Sequence, residues 1–315
     1  MGVYESGHKR AAGSIVLLAC LAMGLAMAPQ VKATYAGVIG RLAFGLDVGD
    51  GNADIYSVKP DGNAVRRLTA MSDFEACTAY SPDGRQLAYC RGIGSSGGVI
   101  EIWRMKQNGT QQVQVTHHGG RSTFPDFSPD GARIAFQSAV PSNGTFDIYV
   151  TQIDGTGLLR MTDDPGQDQQ PAWSPDGTKI AFVSTRSGVS QVWLMNADGT
   201  NLTQITFDSA PKGQRPSWSP DGTRIAFQSN GTGGGDIYVM NADGTGQARL
   251  TSDPAGESGP AWSPDGTRIA FLSLRDLPAA RNVYIMNADG SDPHVVHPGG
   301  FQFVPAWQPL PDDAD

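Results

Sequence analysis

Pro171-Ala172-Trp173-Ser174-Pro175-Asp176-Gly177-Thr178-Lys179-Ile180-Ala181-Phe182-Val183-Ser184 places a tight turn between two apolar segments, and the chain repeats it. Residues 216–229 and 260–273 are near copies, and weaker versions surround Tyr80, Phe127 and Trp307. Three aromatic series give the repeat number as six. The first is Tyr80, Phe127, Trp173, Trp218, Trp262 and Trp307. A second runs through Phe44, Tyr89, Phe136, Phe182, Phe227 and Phe271, and a third through Tyr56, Trp103, Tyr149, Trp193, Tyr238 and Tyr284. Self-similarity at a period of about 45 residues marks a radial array of small sheets.

Each unit reads as four short strands rich in Val, Ile and aromatics, divided by Gly, Pro, Asp and Asn. In one unit these are expected at 171–174, 179–184, 191–196 and 202–206. Ser174-Pro175-Asp176-Gly177 and Asn196-Ala197-Asp198-Gly199 suit tight turns, because Pro presets φ and Gly accepts positive φ. No run long enough for a globular helix intervenes. The expected fold is all-β, a six-bladed β-propeller of four-stranded antiparallel blades. The first repeat starts at its second strand near Arg41, and the last stops after its first strand, around 304–308. Pairing these ends completes the sixth blade and hides two strand edges.

The motifs Pro-x-Trp-Ser-Pro-Asp-Gly, Ile-Ala-Phe-x-Ser and Asp-Ile-Tyr-Val-Met-Asn-Ala-Asp-Gly resemble the repeat of TolB-type (PD40, WD40-like) propellers over residues 41–310. No Gly-His or Trp-Asp pair marks the units, so the WD40 type itself is less similar. TolB is a periplasmic component of the Tol–Pal envelope system, and the resemblance implies an exported protein that binds a protein or peptide in the cell envelope. TolB carries an α/β domain before its propeller; with about 40 residues ahead of the first repeat, none is expected here. The propeller also resembles that of prolyl-oligopeptidase-type peptidases, but no hydrolase domain is expected after Trp307.

Residues 1–33 read as a signal peptide, 34–40 as a linker, 41–310 as the propeller and 311–315 as a tail. His8, Lys9 and Arg10 precede an apolar stretch at 11–28, and Val31-Lys32-Ala33 offers a cleavage site. An uncleaved membrane tether through residues 11–28 and a lipoprotein signal at Cys20 are the other readings of the same segment. The remaining cysteines, Cys77 and Cys90, flank one hairpin and form a candidate disulfide in an oxidising compartment, with two buried thiols as the alternative.

The formal charge is −8, and losing Lys9, Arg10, Lys32 and Glu5 with the leader takes it to about −10. An acidic chain without a basic stripe is not expected to bind nucleic acid. A closed ring is expected to be monomeric.

Nine residues separate the first aromatic from the second in every continuous unit, and thirteen separate the third from Thr69, Thr116, Thr162, Thr206, Thr251 or His297. Those intervals hold the turns of one face, between strands one and two and between three and four. Only the connections on the other face vary, and binding usually resides in variable loops on a rigid scaffold. At the channel mouth on that face, Glu75, Ser122, Asp168, Gly213, Glu257 and Gln302 are expected to recur, with Arg121 and Arg215 in the same loops. Three carboxylates there would attract a cation or the basic end of a peptide; capping of loop N–H groups is the bland alternative.

No cofactor is expected. Calcium is a weaker reading of Asp47, Asp50 and Asp54, whose spacing resembles a calcium loop, although Asp54 aligns with the strand residues Asp147 and Asp236. Gly94-Ser95-Ser96-Gly97-Gly98 matches Gly-x-Ser-x-Gly but lies in a glycine-rich loop rather than at a strand-to-helix turn. His117-His118 and His294-x-x-His297 fall at outer strand ends. The leading expectation is a non-enzymatic scaffold in the envelope, periplasmic or extracellular. Its alternative is a metal-assisted hydrolase or lyase on envelope or extracellular polymers, working at the acidic mouth.

Overall fold

The computed structural model describes residues 38–49, 51–93, 98–139, 144–207, 212–231, 234–277 and 280–310. The expected signal segment with Cys20, most of the linker, Asp50, Gly94 to Gly97 and the tail lie outside them.

All described regular structure is strand and turn, with no helix among the described residues. The expected unit forms a separate four-stranded antiparallel sheet of Asp168–Trp173, Lys179–Ser184, Gln191–Asn196 and Thr203–Gln204, here called the third blade. The fourth blade is a second such sheet, from Lys212–Trp218 to Ala248–Arg249. The first blade starts at Glu75–Tyr80, the second at Arg121–Phe127 and the fifth at Glu257–Trp262, each with the same meander. A single parallel bridge, Ile100 to Arg121, joins the first blade to the second.

The closing blade is shared between the two ends of the chain. Val38–Asp47, Ala53–Val58 and Arg66–Arg67 supply three strands, and Ala306–Leu310 lies antiparallel on the first of them, with Leu42 opposite Trp307. The innermost strands touch in sequence round a ring, and Ala306–Leu310 contacts both the Glu75–Tyr80 strand and the Glu257–Trp262 strand.

Among the described residues the core forms six clusters, each drawn from two adjacent blades. Ala135, Ile148 and Val150 of the second blade pack with Trp173, Ile180, Phe182 and Met195 of the third. Leu42, Phe44, Val58 and Trp307 of the closing blade pack with Ala270, Leu272, Val283 and Ile285 of the fifth. The same holds at the other four junctions. Phe44, Tyr89, Phe136, Phe182, Phe227 and Phe271 are fully buried in these wedges, and truncating such a ring to alanine costs about 3–5 kcal/mol.

The repeated polar residues close the turns. In Ser174-Pro175-Asp176-Gly177, Ser174 Oγ donates to Asp176 Oδ1 at 2.6 Å and accepts from Lys179 N at 2.9 Å, while Gly177 has φ of 70°. Ser81, Ser128, Ser219 and Ser263 repeat the serine–aspartate bond. Each Gly of the turn before the outer strand faces the preceding blade. A Cβ on Gly155 would lie 2.3 Å from Val115 O, and one on Gly62 2.6 Å from Val296 O across the closure. The thirteen-residue spacing also has a cause, because the hydroxyls of Thr69, Thr116, Thr162, Thr206 and Thr251 accept the N–H of Ile55, Ile102, Ile148, Val192 and Ile237 at 2.8–3.0 Å.

Deleting residues 301–315 removes one wall of the junction around Leu42 and bares the edge of the 38–47 strand. The truncated protein is expected to aggregate or lose its cooperative melt in calorimetry; a soluble product with the parent transition would contradict the closure.

Candidate functional site

Every innermost strand from the first blade to the fifth carries a register shift at the same place, such as that between Gln169 and Ala172. At the bulge Cys77, Phe124, Gln170, Arg215 and Gly259 adopt φ of 57°, 55°, 55°, 57° and 62°. Left-handed backbone at a non-glycine residue costs roughly 1–3 kcal/mol and recurs at functional sites. In four of these five strands the next residue is proline, Pro125, Pro171, Pro216 or Pro260, which has no N–H for the broken ladder to orphan.

The bulges and the layer beneath them line a central cavity of about 160 Å³. Arg215 reaches across it from the fourth blade to the second, with Cζ 4.3 Å from the Phe124 ring centroid. Gly259 makes room, since a Cβ there would lie 3.4 Å from Arg215 Cδ and 3.5 Å from Nη1. Burial lowers the Arg215 guanidinium to about 10, and its Nη1 is buried without a hydrogen-bond partner. One layer down, Asp126 Oδ2 accepts Trp173 N at 2.7 Å. Burial pushes that carboxyl up to about 7 against this hydrogen bond. Cys77 and Cys90 are free thiols that share a hydrogen bond, so the candidate disulfide is not formed in this structure. The bond to Cys90 lowers the Cys77 thiol, and burial raises that of Cys90.

The expected acidic mouth takes a different form. Glu75, Ser122, Asp168, Glu257 and Gln302 are all at most 1% exposed, and none lines the central cavity. Asp168 Oδ2 accepts from Arg186 Nη2 at 2.7 Å and Glu257 Oε1 from Arg275 Nη2 at 2.8 Å, while Arg91 Nε stands 3.8 Å from Glu75 Oε1. Desolvation outweighs the arginines and raises all three acids, Glu75 to about 7. Ser122 bonds Ser138 across the strand at 3.1 Å. Gln302 Oε1 accepts Val283 N at 2.8 Å, the place taken elsewhere by the closing threonine, because His297 stands at that position in the fifth blade. Arg121 is exposed at the start of its strand. Of the expected mouth residues, Arg215 reaches the cavity.

Among the calcium candidates, Asp47 Oδ1 accepts the N–H of Gly49 at 2.7 Å and Gly51 at 3.2 Å, and Asp54 pairs with Arg67 at 2.5 Å. No group of three His, Cys, Asp or Glu side chains suited to a metal occurs among the described residues. His118 stacks on Phe136 and His297 packs on Phe44, and burial lowers both imidazoles.

The variable face holds a feature that residue spacing did not single out. Phe74 meets Phe303 edge-on at 5.1 Å, Phe301 meets Phe303 at 5.5 Å, and Arg281 lies 4.2 Å over Phe301. Phe74 and Phe301 are 37% and 39% exposed. Both fall in the variable connections, at 70–77 and 298–303, but only the folded ring brings these loops together.

Comparison with known proteins places this geometry among relatives. The model of the TolB beta propeller domain (PD40) matches residues 110–214 and 211–312. An uncharacterized protein of Agrobacterium fabrum is 33% identical over 89 residues, which span 28% of this chain and 29% of that relative's length. TolB from Acinetobacter baumannii superposes with a TM-score of 0.75 at 24% identity, covering 86% of this chain and 67% of that one. A putative TolB from Agrobacterium tumefaciens gives 0.67 at 23% identity, over 88% of this chain and 93% of its own. At these identities the solved structures speak for the fold alone.

A carboxyl raised by folding contributes stability that is full below its unfolded value and lost as pH rises through the folded one. For Asp126 that window runs from the model-peptide value of 3.8 up to about 7. Asp126→Asn keeps an oxygen for Trp173 N and removes the buried charge. The variant is expected to melt roughly several degrees above the parent at pH 8, with a smaller gap at pH 5; a gap independent of pH would contradict the assignment.

Proposed function

The chain belongs to the TolB β-propeller family, and from that premise we propose that it is an exported, non-enzymatic scaffold that binds a protein or peptide in the cell envelope. The observation that carries this reading is the exposed cluster of Phe74, Phe301 and Phe303 beneath Arg281 on the variable face. Aromatic rings and arginine dominate binding hot spots, because they bury large area with few rotatable bonds and keep a polar handle. Val48, Met71 and Phe207 are exposed in connections of the same face, and Ile93 at the end of the strand Gln86–Ile93.

Export rests on residues 1–33, which read as a leader, and on the likeness to periplasmic TolB. The hydrolytic alternative needs free carboxylates at the mouth. Glu75, Asp168 and Glu257 are instead buried beside arginines inside the blades, and this favours the scaffold.

Phe74→Ser and Phe301→Ser remove exposed rings and leave the six core clusters untouched. Tagged parent and double variant, each crosslinked in the envelope and analysed by mass spectrometry, are expected to differ by about thirtyfold or more in recovery of the principal partner, the effect of losing a hot spot of 2 kcal/mol or more. Equal recovery of the same partners at an unchanged melting temperature would overturn the assignment of this surface.

A further inference from the structure

The opposite face, where the short turns of fixed length lie, holds a groove of about 650 Å³ between the closing blade and the first blade. Five cations line it, Arg41, Arg66, Arg85, Arg104 and Lys106, against one acid, Asp83. This is the reverse of the chain as a whole, whose net charge is −8. The five also contrast with Arg67, Arg91, Arg160, Arg186, Arg249 and Arg275, each of which pairs with a carboxylate. None of the five groove cations has an ion pair among the described residues.

Asp83 offsets one of these charges but forms no ion pair with them, its Oδ1 accepting Ser81 Oγ at 2.6 Å and Arg85 N at 3.1 Å in the turn. Asp61, which acts on Arg41 from outside the groove lining, accepts Asn63 N at 2.9 Å. Two guanidiniums are fixed before any ligand arrives. Arg41 Nε donates to Ser57 Oγ at 3.1 Å and its Nη2 to the carbonyls of Ser57 and Ala64. Arg104 Nε donates to Ile153 O and its Nη1 to Gln86 Oε1, both at 3.1 Å. These acceptors are all neutral, so the full positive charge remains, and Nη1 of Arg41 and Nη2 of Arg104 keep donors to spare. Arg66, Arg85 and Lys106 are exposed around them, and glutamine and asparagine amides of the same turns complete the lining.

We propose that this groove binds a phosphate-bearing polyanion. Four guanidinium forks and one ammonium, with two of the forks preorganised, match tetrahedral anions that offer several acceptor oxygens. Preorganisation lowers the ordering cost of binding. The site is independent of the aromatic cluster on the other face, so either assignment can fail without the other.

The probe is inorganic tripolyphosphate, titrated calorimetrically into the purified protein at low salt. The variant is Arg66→Gln/Arg85→Gln/Lys106→Gln, which touches only exposed side chains, and Arg121→Gln on the other face is the control. The parent and control are expected to bind, with affinity weakening as salt rises, and the triple variant to bind about tenfold or more weakly at an unchanged melting temperature. Vesicles containing phosphatidic acid separate the sources: their capture by the parent but not the triple variant places the phosphate on a lipid, and tripolyphosphate binding without capture places it on a soluble ligand. No tripolyphosphate binding, equal binding by the triple variant, or equally tight binding of poly-glutamate would overturn the proposal.

Discussion

Every hydrophobic cluster among the described residues is shared between two blades, and this one constraint governs the rest. A four-stranded blade is too thin to bury its own apolar faces, so each wedge of core exists only when its neighbour is in place. Phe182 needs Ile148, and Leu42 needs Ile285, from opposite ends of the repeat order. The ring must therefore close, and the chain closes it by laying Ala306–Leu310 against Val38–Asp47. The glycine of each turn before the outer strand, seated on a carbonyl of the preceding blade, sets how closely successive blades approach.

Closure divides the surface into two chemically different faces. The repeat uses its polar residues in turns and cross-strand locks, and its buried strand carboxylates Asp147, Asp168, Asp236 and Glu257 pair with arginines of the same blade. What remains is unevenly placed. Aromatic side chains and Arg281 gather on the face with connections of variable length, and uncompensated cations gather on the face with fixed turns. Between the two, the central cavity holds Arg215 and Asp126, whose shifts reflect burial more than mutual pairing.

Most of the architecture was legible because each unit carries its local instructions. The second and third strands of the third blade run at 179–184 and 191–196, as their apolar runs and Asp-Gly turns indicate. The first strand starts at Asp168 rather than 171, since a bulge at Gln170 interrupts the alternation that marks a strand in sequence. The same bulge explains why the acidic mouth was misplaced. An inserted residue reverses which face the preceding side chains meet, so Glu75, Asp168 and Glu257 are buried in the blades while Cys77, Phe124, Gln170 and Arg215 line the cavity. The residue directly before each proline was the available signal. The aromatic cluster had none, because Phe74 and Phe303 are separated by nearly the whole ring in sequence and meet only through closure.

Hydrogen exchange of the backbone amides tests the closed ring most directly, since amides that open only with global unfolding reveal the cooperative unit. The account expects residues 42–46 and 306–308 to exchange as slowly as the second strands of the third and fourth blades, 179–184 and 224–229, and to become labile at the same denaturant concentration. Early, independent exchange of 306–308 together with 42–46, while the other blades stay protected, would contradict it.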